Sequence, residues 1–589
     1  MRGRPTRRAA PFALLGLLCA AQPAAAQPRL NLPGGTQPGG LRTPLEAGGQ
    51  CTECHSGLET SDNRRYLPAD LWPTSMMANA SRDPLFRATL SVAEQQRPNI
   101  GELCLRCHTP AGFVAGHGVP GNGSALDPFS ENDGVNCDTC HRSVDGRDTD
   151  PMAPYIGNAR LFFSDGTDTT APTRFGPRAD PTFSPRHPAM RGEFISDSRM
   201  CGQCHDVDNP LLNRLLPDGT DTGQPFPLQS TYTEWAQSEF SRGSTLRSCQ
   251  NCHMPAETEA LPVTRIPGAP ARPMHRRHDF LGANEWGMAM LRAAFPDEMD
   301  SAFDEARVRQ RGFLQTSARL ELLDVPAQVR AGEPLNFRVR VTNLSGHKLP
   351  TGYEDARLMW LQVELAGRVV SGAMVDDELV EDPQVRTYRF IPGHREGGRA
   401  VPGDFVTQHQ VILEDTRIPP AGMMPTARTA PVGRDYSGGL NGALRHDDTA
   451  MYSFAAPAVG GSAELTVRLL YRTTTRHYVE TIAAANQSDN TGTRLLQVWN
   501  AAGRAPPFAI ATQQATVQVT GGAPDASVAD VPGLVDASVT ADTGTTAPGG
   551  CGCRAAGSSR SGMSTLGALA LAALASRRRR RGAREERTR

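Results

Sequence analysis

Hydrophobic positions along this 589-residue chain change their rhythm partway. Between residues 51 and 280 they come in short clusters broken by Pro and Gly, the signature of short helices and loops. Helices are expected at "DPLFRATLSVAEQQ" (83–96), where Leu85, Phe86, Leu90 and Val92 partly follow helical spacing. Two more are expected through "NEWGMAMLRAAF" and "MDSAFDEARVRQRGFL". From about Ala318 the period becomes two. In "LNFRVRVTN", Leu335, Phe337, Val339 and Val341 alternate with Asn336, Arg338, Arg340 and Thr342. "AELTVRLLYRTTTR" does the same with Leu465, Val467, Leu469 and Tyr471. Further strands are expected at "LMWLQVEL", "VRTYRFIP", "VTQHQVILED" and "ATVQVTG". The fold class this predicts is mixed: a mostly helical and loop module, then an antiparallel β-sandwich, roughly 315–520, with a long loop insertion from Ala421 to Thr449.

Both ends carry signals of a different kind. "MRGRPTRRAA" is a basic segment, "PFALLGLLCA" an apolar one, and a small-residue cleavage site follows at Ala26, so residues 1–26 read as a secretory signal peptide. Residues 27–50 read as a flexible linker. At the other end a low-complexity linker (521–548) leads to "GGCGCR", an apolar run from Met563 to Ala575 and an Arg-rich tail. That run is shorter than the ~18 residues of a stable membrane span. Residues 549–589 resemble the C-terminal sorting signals of myxobacterial surface proteins, which implies cleavage near the cysteine motif and attachment at the outer surface. Any membrane association is therefore expected only through this segment. A net charge of −1 gives no basis for nucleic-acid binding.

The cysteines carry the chemistry. C-x-x-C-H occurs five times, as Cys51–Cys54–His55, Cys104–Cys107–His108, Cys137–Cys140–His141, Cys201–Cys204–His205 and Cys249–Cys252–His253. Chance at this composition predicts roughly 0.01 copies. These motifs use ten of the 13 cysteines; Cys19 lies in the signal peptide, and Cys551 and Cys553 in the C-terminal motif. Two thiols three positions apart can each form a thioether to one haem vinyl group, and the following histidine then sits beneath the iron as proximal ligand. Zinc knuckles or thioredoxin-like pairs are the alternatives, but neither needs a histidine after every pair. An oxidising compartment also disfavours reduced zinc thiolates. The expectation is a 51–312 module with five covalent c-type haems, followed by the 313–520 sheet domain. With so little polypeptide per haem, the haems would supply much of the buried apolar surface.

The stretches "LWPTSMMANASRDPLFRA", "GELCLRCHTPAGF", "GVNCDTCH", "SRMCGQCHD", and "CQNCHMP" followed by "HDFLGAN" resemble the multihaem cytochromes of the cytochrome c-554 and hydroxylamine-oxidoreductase-like group. Members often present Ser-x-His-Ala after the first motif, with that histidine as distal iron ligand. Here the segment is Ser75-Met76-Met77-Ala78, so the resemblance implies Met77. His117, His187 and His278 are further distal candidates, with His275 a rival to His278. The loop "NLSGHKLPTGYED" (343–355) holds the chain's only lysine, Lys348, beside His347. Similar segments occur in sheet domains fused to such cytochromes, which implies that His347 reaches across to a haem of the other module. His394, His409, His446 and His477 read as ordinary surface or strand residues.

These readings point to an exported electron carrier, in the periplasm or at the cell surface, serving redox partner proteins. The alternative is a multihaem oxidoreductase acting on a small nitrogen or sulfur oxyanion at one five-coordinate haem. Neither a C-x-x-C-K variant nor an evident tyrosine cross-link site marks such a haem.

Overall fold

The structure, a computed structural model, describes residues 29–148, 156–167, 169–178, 184, 186–298 and 301–522. The segments expected to be a signal peptide (1–26) and a sorting signal (549–589), with the expected linker from residue 523 on, lie outside the described residues. Among the described residues no helix is long and apolar enough to cross a membrane.

In the first half the helices are short, and every motif lies in or against one of them. The helices Gly101–His108, Cys137–His141 and Cys249–His253 each contain a whole motif; Thr52–His55 follows directly on Cys51, and Ser198–Gly202 holds Cys201 and ends just before Cys204 and His205. Helical turns present residues three and four apart on one side, which suits two thiols and a histidine meeting one planar group. Capping fixes where several begin. Asn136 accepts from the Thr139 amide, Asp197 from the Arg199 amide, and Ser248 forms a capping box with Asn251. The expected longer helix forms as Pro84–Gln96, with Asp83 accepting from the Leu85 and Phe86 amides and Pro84 in its first turn. The other two form as Glu285–Ala294 and Ser301–Gln315.

The alternation read in the second half becomes paired strands. Pro334–Asn343 sits between Ala318–Leu323 and Asp447–Ala455, all antiparallel, with Leu335 opposite Phe454, Phe337 opposite Tyr452 and Val339 opposite Ala450. A second sheet centres on Gly461–Arg472, flanked by Leu358–Leu365 and Phe508–Thr520. Leu335, Phe337, Val339 and Val341 from the first sheet share one core with Met359, Leu361, Val363, Leu465, Val467 and Leu469 from the second. Burying each such side chain contributes about 1.5–3 kcal/mol. The long loop adds to this core, since Tyr436 is buried in it.

Three features depart from the sequence reading. Residues 27–50 are expected to be a flexible linker, yet Leu32 and Leu45 are buried with Leu103, Phe113 and Leu161, and Arg29 holds Glu102 at 2.9 Å. The segment between the fourth and fifth motifs contains a long hairpin, Val207–Leu215 and Asp221–Gln229, not loops alone. Its first strand meets Val411–Asp415 at Leu215, giving a five-stranded sheet that joins the two halves of the chain. The strand expected to run to Arg476 stops at Arg472, and the helices Arg476–Ala485 and Thr491–Ala501, for which no element was expected, follow. The Thr475 side chain accepts from the Tyr478 amide and starts the first of them. Val479, Ile482, Leu495, Val498 and Trp499 then pack on Ala88, Val92, Trp286 and Met290 of the first half. All described residues belong to one unit that ends at Ala526.

Candidate haem centres

The motif helices form one connected cluster. The Cys51 thiol lies beside Cys137, Cys107 beside Cys204, and Cys201 beside Cys249. Cys140 is close enough to Cys201 and Cys204 to act on both electrostatically. The first motif thus neighbours the third, and the fourth neighbours the second, third and fifth. No disulfide joins any of the ten motif cysteines.

A proximal histidine must offer Nε2 to iron, which requires the proton on Nδ1 and a partner to hold it there. Four of the five have that arrangement. Nδ1 of His55 lies 2.8 Å from the Val263 carbonyl, His108 2.9 Å from Ala80, His141 2.8 Å from Phe175 and His253 2.5 Å from Leu281. Each carbonyl is an acceptor, so Nδ1–H donates and Nε2 keeps its lone pair. His205 differs: its Nδ1 meets the side-chain amide of Gln229 at 3.3 Å. Burial pushes His108 and His253 down to about 4, so both rings are neutral, the form that can ligate. Zinc fits less well. Among the described residues no three His, Cys, Asp or Glu side chains gather as a metal cage would need. The residues present fit haem.

Two ring pairs have a spacing that ordinary stacking does not explain. His141 and His278 have centroids 6.3 Å apart and planes 17° apart; His253 and His347 are 6.2 Å and 25° apart. With an iron–nitrogen bond of about 2 Å and about 1.1 Å from nitrogen to ring centre, two imidazoles on one iron have centroids about 6.2 Å apart. Contact stacking is much closer, as where Phe86 lies on His108 at 3.7 Å and 3°. The second member of each pair is also anchored through Nδ1: His278 to the Arg276 carbonyl at 3.1 Å, His347 to the Lys348 carbonyl at 3.0 Å. Burial, with His141 beside it, pushes His278 down to about 3.

The other candidates are placed less decisively. His187 lies within electrostatic reach of His55 and has Nδ1 3.2 Å from the Pro188 carbonyl. His117 is 46 % exposed and holds Glu131 at 2.7 Å. Met76 packs against Met288, Leu291, Phe303 and Ala306, whereas Met77 belongs to none of the apolar clusters among the described residues. His275 packs edge-on against Tyr66, and its buried Nε2 has no hydrogen-bond partner. His409 is buried against Phe226 with Nε2 on the Gly403 carbonyl, and His477 holds Asp404 at 3.0 Å.

The question of the solitary lysine is settled by burial. Lys348 is fully buried, with Nζ 2.5 Å from Asp415. Arg417 holds the same carboxylate at 2.8 Å and reaches Glu234 at 3.0 Å and Glu354 at 3.1 Å. Glu234 belongs to the helix Thr231–Ala236 of the first half and accepts from the Lys348 amide and the Thr351 hydroxyl. The loop carrying His347 is thus bolted to the haem module by a buried charge network. Burial pushes Glu354 in that network up to about 7. The sequence signal was present in Lys348 itself, but its partners lie far along the chain.

Residues 50–142, which contain the first three motifs, match the family described as Cytochrome c554 and c-prime. Among solved structures, a penta-heme cytochrome c552 from Thermochromatium tepidum is 17 % identical, with 81 % of this chain and 100 % of that chain covered and a TM-score of 0.46. AvmM, which catalyses macrocyclization in alchivemycin A biosynthesis, is 12 % identical over 36 % of this chain and 93 % of its own, with a TM-score of 0.14. At those scores neither likeness carries an argument. No curated protein matches the chain. The motifs and the matched family segment support a multihaem c-type cytochrome.

Proposed function

We propose that this protein is an exported carrier that binds five c-type haems covalently and passes electrons between redox partner proteins, in the periplasm or at the cell surface. The motif cysteines would hold the haems, which supply the one-electron chemistry when bound. The chain sets their order, ligation and exposure. The two ring pairs carry this reading, because an iron held between two histidines transfers electrons without binding a substrate. On it, His141 with His278 serves the third haem and His253 with His347 the fifth. His187 is the candidate opposite His55, and Met77 and His117 remain candidates for the others. The second half reads as a β-sandwich that supplies His347.

One observation favours the alternative, an oxidoreductase of a small nitrogen or sulfur oxyanion. Among the described residues no second imidazole pairs with His55, His108 or His205 at the spacing of the two pairs above. The test is the optical spectrum of the dithionite-reduced, haem-loaded protein before and after carbon monoxide. No change supports the carrier; a rapid shift of about one haem in five supports an open iron and the oxidoreductase.

A further inference from the structure

Of the ten motif cysteines, Cys252 alone is exposed. The thioether bond from that thiol would bring the edge of the fifth haem to the surface. The segment just before the motif, residues 242–247 ("RGSTLR"), is exposed throughout, with Leu246 at 51 %. The side-chain charges acting on the Cys252 thiol beyond its own motif are those of Arg247 and Arg276. Arg242 is fixed by the Gln237 and Gly422 carbonyls, Arg247 by the Leu246 carbonyl and Arg276 by the Met254 carbonyl. Among the described residues none of the three forms a salt bridge. On the other side of the motif, by Cys249, the carboxylate of Asp197 is already neutralised by Arg199 at 2.6 Å.

We propose that the exposed segment 242–247, with Arg242, Leu246 and Arg247, together with Arg276 beside Cys252, is the docking site for a small redox protein with an acidic face, and that electrons enter or leave through the fifth haem there. This rests on the carrier reading above. A positive rim with an apolar centre beside an exposed cofactor edge is the surface that steers an acidic partner and releases it quickly. With the ends that are expected to be processed left out, residues 27–548 carry 47 Lys and Arg against 60 Asp and Glu, so attraction of an acidic partner comes from this patch and not from the whole molecule. The transfer balances simply: a reduced partner gives one electron to a ferric haem, leaving an oxidised partner and a ferrous haem.

The probe is a plant-type [2Fe–2S] ferredoxin. Binding is measured with both haem-loaded protein and ferredoxin oxidised, so that no electron moves, at low and high salt. Arg242→Glu/Arg247→Glu is compared with Arg330→Glu/Arg399→Glu, which makes the same charge change at exposed positions elsewhere. The expected result is that the first variant binds at least about tenfold more weakly at low salt, that the second stays within about twofold of wild type, and that salt erases the difference. Equal binding by wild type and the first variant, or an equal loss in both variants, overturns the proposal. Photoreduced lumiflavin, a neutral reductant, separates the two readings. If it reduces the haems of all three proteins while ferredoxin binding is unchanged by the first variant, the docking site alone is wrong. If it reduces no haem in any of them, the carrier reading falls as well.

Discussion

His253 and His347 face each other from opposite halves of the chain, their ring centroids 6.2 Å apart and each Nδ1 anchored on a backbone carbonyl. One histidine ends a C-x-x-C-H helix; the other sits on a loop between strands. Removing the second should therefore change the first one's metal chemistry. For His347→Ala, about one haem in five is expected to bind carbon monoxide rapidly in the reduced protein, with the other four unchanged. His347→Met should restore the sixth ligand while raising that haem's potential. An unaltered carbon monoxide spectrum in the alanine variant would end the pairing.

His278→Ala should behave likewise for the third haem. The double variant His278→Ala/His347→Ala should show about two haems in five open, because the two ring pairs share no residue. Stoichiometric carbon monoxide titration measures this directly.

Lys348→Met leaves Asp415 with Arg417 alone in a dry site. Breaking one partner of a buried pair costs about 3–5 kcal/mol, so a clear fall in the urea midpoint is expected. Lys348→Met/Asp415→Leu, which removes both charges of the pair, should recover part of that loss. The arithmetic of a double-mutant cycle decides whether the pair acts as a unit.

The strand and motif content was legible where the information is local. A C-x-x-C-H motif declares itself within five residues, and the alternation from Leu335 to Val341 needs only the strand itself to be read. The hairpin at 207–229 was not legible, because "VDNPLLNRL" carries a proline and little alternation. It is held as a strand by pairing with Asp221–Gln229 and by its contact with Val411. The helix at 476–485 was hidden for another reason. Threonines favour strands, yet here Thr475 caps a helix, and the spacing of Tyr478, Val479 and Ile482 was the overlooked sign. As for the candidate site, the identity of each motif was local, but the partners of His141 and His253 were set by tertiary packing.

Stability should also depend on pH through Asp355. Burial pushes its carboxyl from an ordinary 3.8 up to about 7, and Oδ2 is buried without a hydrogen-bond partner. The folded chain then holds this proton over a range where the unfolded chain has lost it. The stabilisation is complete below about pH 4 and is lost as pH rises through about 7. Urea midpoints should decline between pH 5 and pH 8 on this account, and Asp355→Asn should flatten the decline. An unchanged slope in that variant would exclude Asp355 as its source.

The fourth haem should be the electronic exception. A carbonyl that accepts from Nδ1–H makes the imidazole a stronger donor to iron and favours the ferric state. His205 meets the Gln229 amide instead. Gln229→Glu, which supplies a carboxylate there, should lower one potential of the set by roughly 60 mV, a tenfold change for one electron. Spectroelectrochemical titration would show it, and a titration superimposable on wild type would refute the assignment.

The buried bolt between Glu234 and the Lys348 loop has a consequence for biogenesis. Thioether bonds can form only while a motif is still accessible to haem and to whatever attaches it, yet His347, the histidine that faces His253, comes from much later in the chain. On the proposed pairing, maturation would have a required order, with haem insertion first and closure of the second half last. A chain that closes early would trap an empty fifth site, and a nascent chain ending before residue 347 would carry a haem it cannot finish.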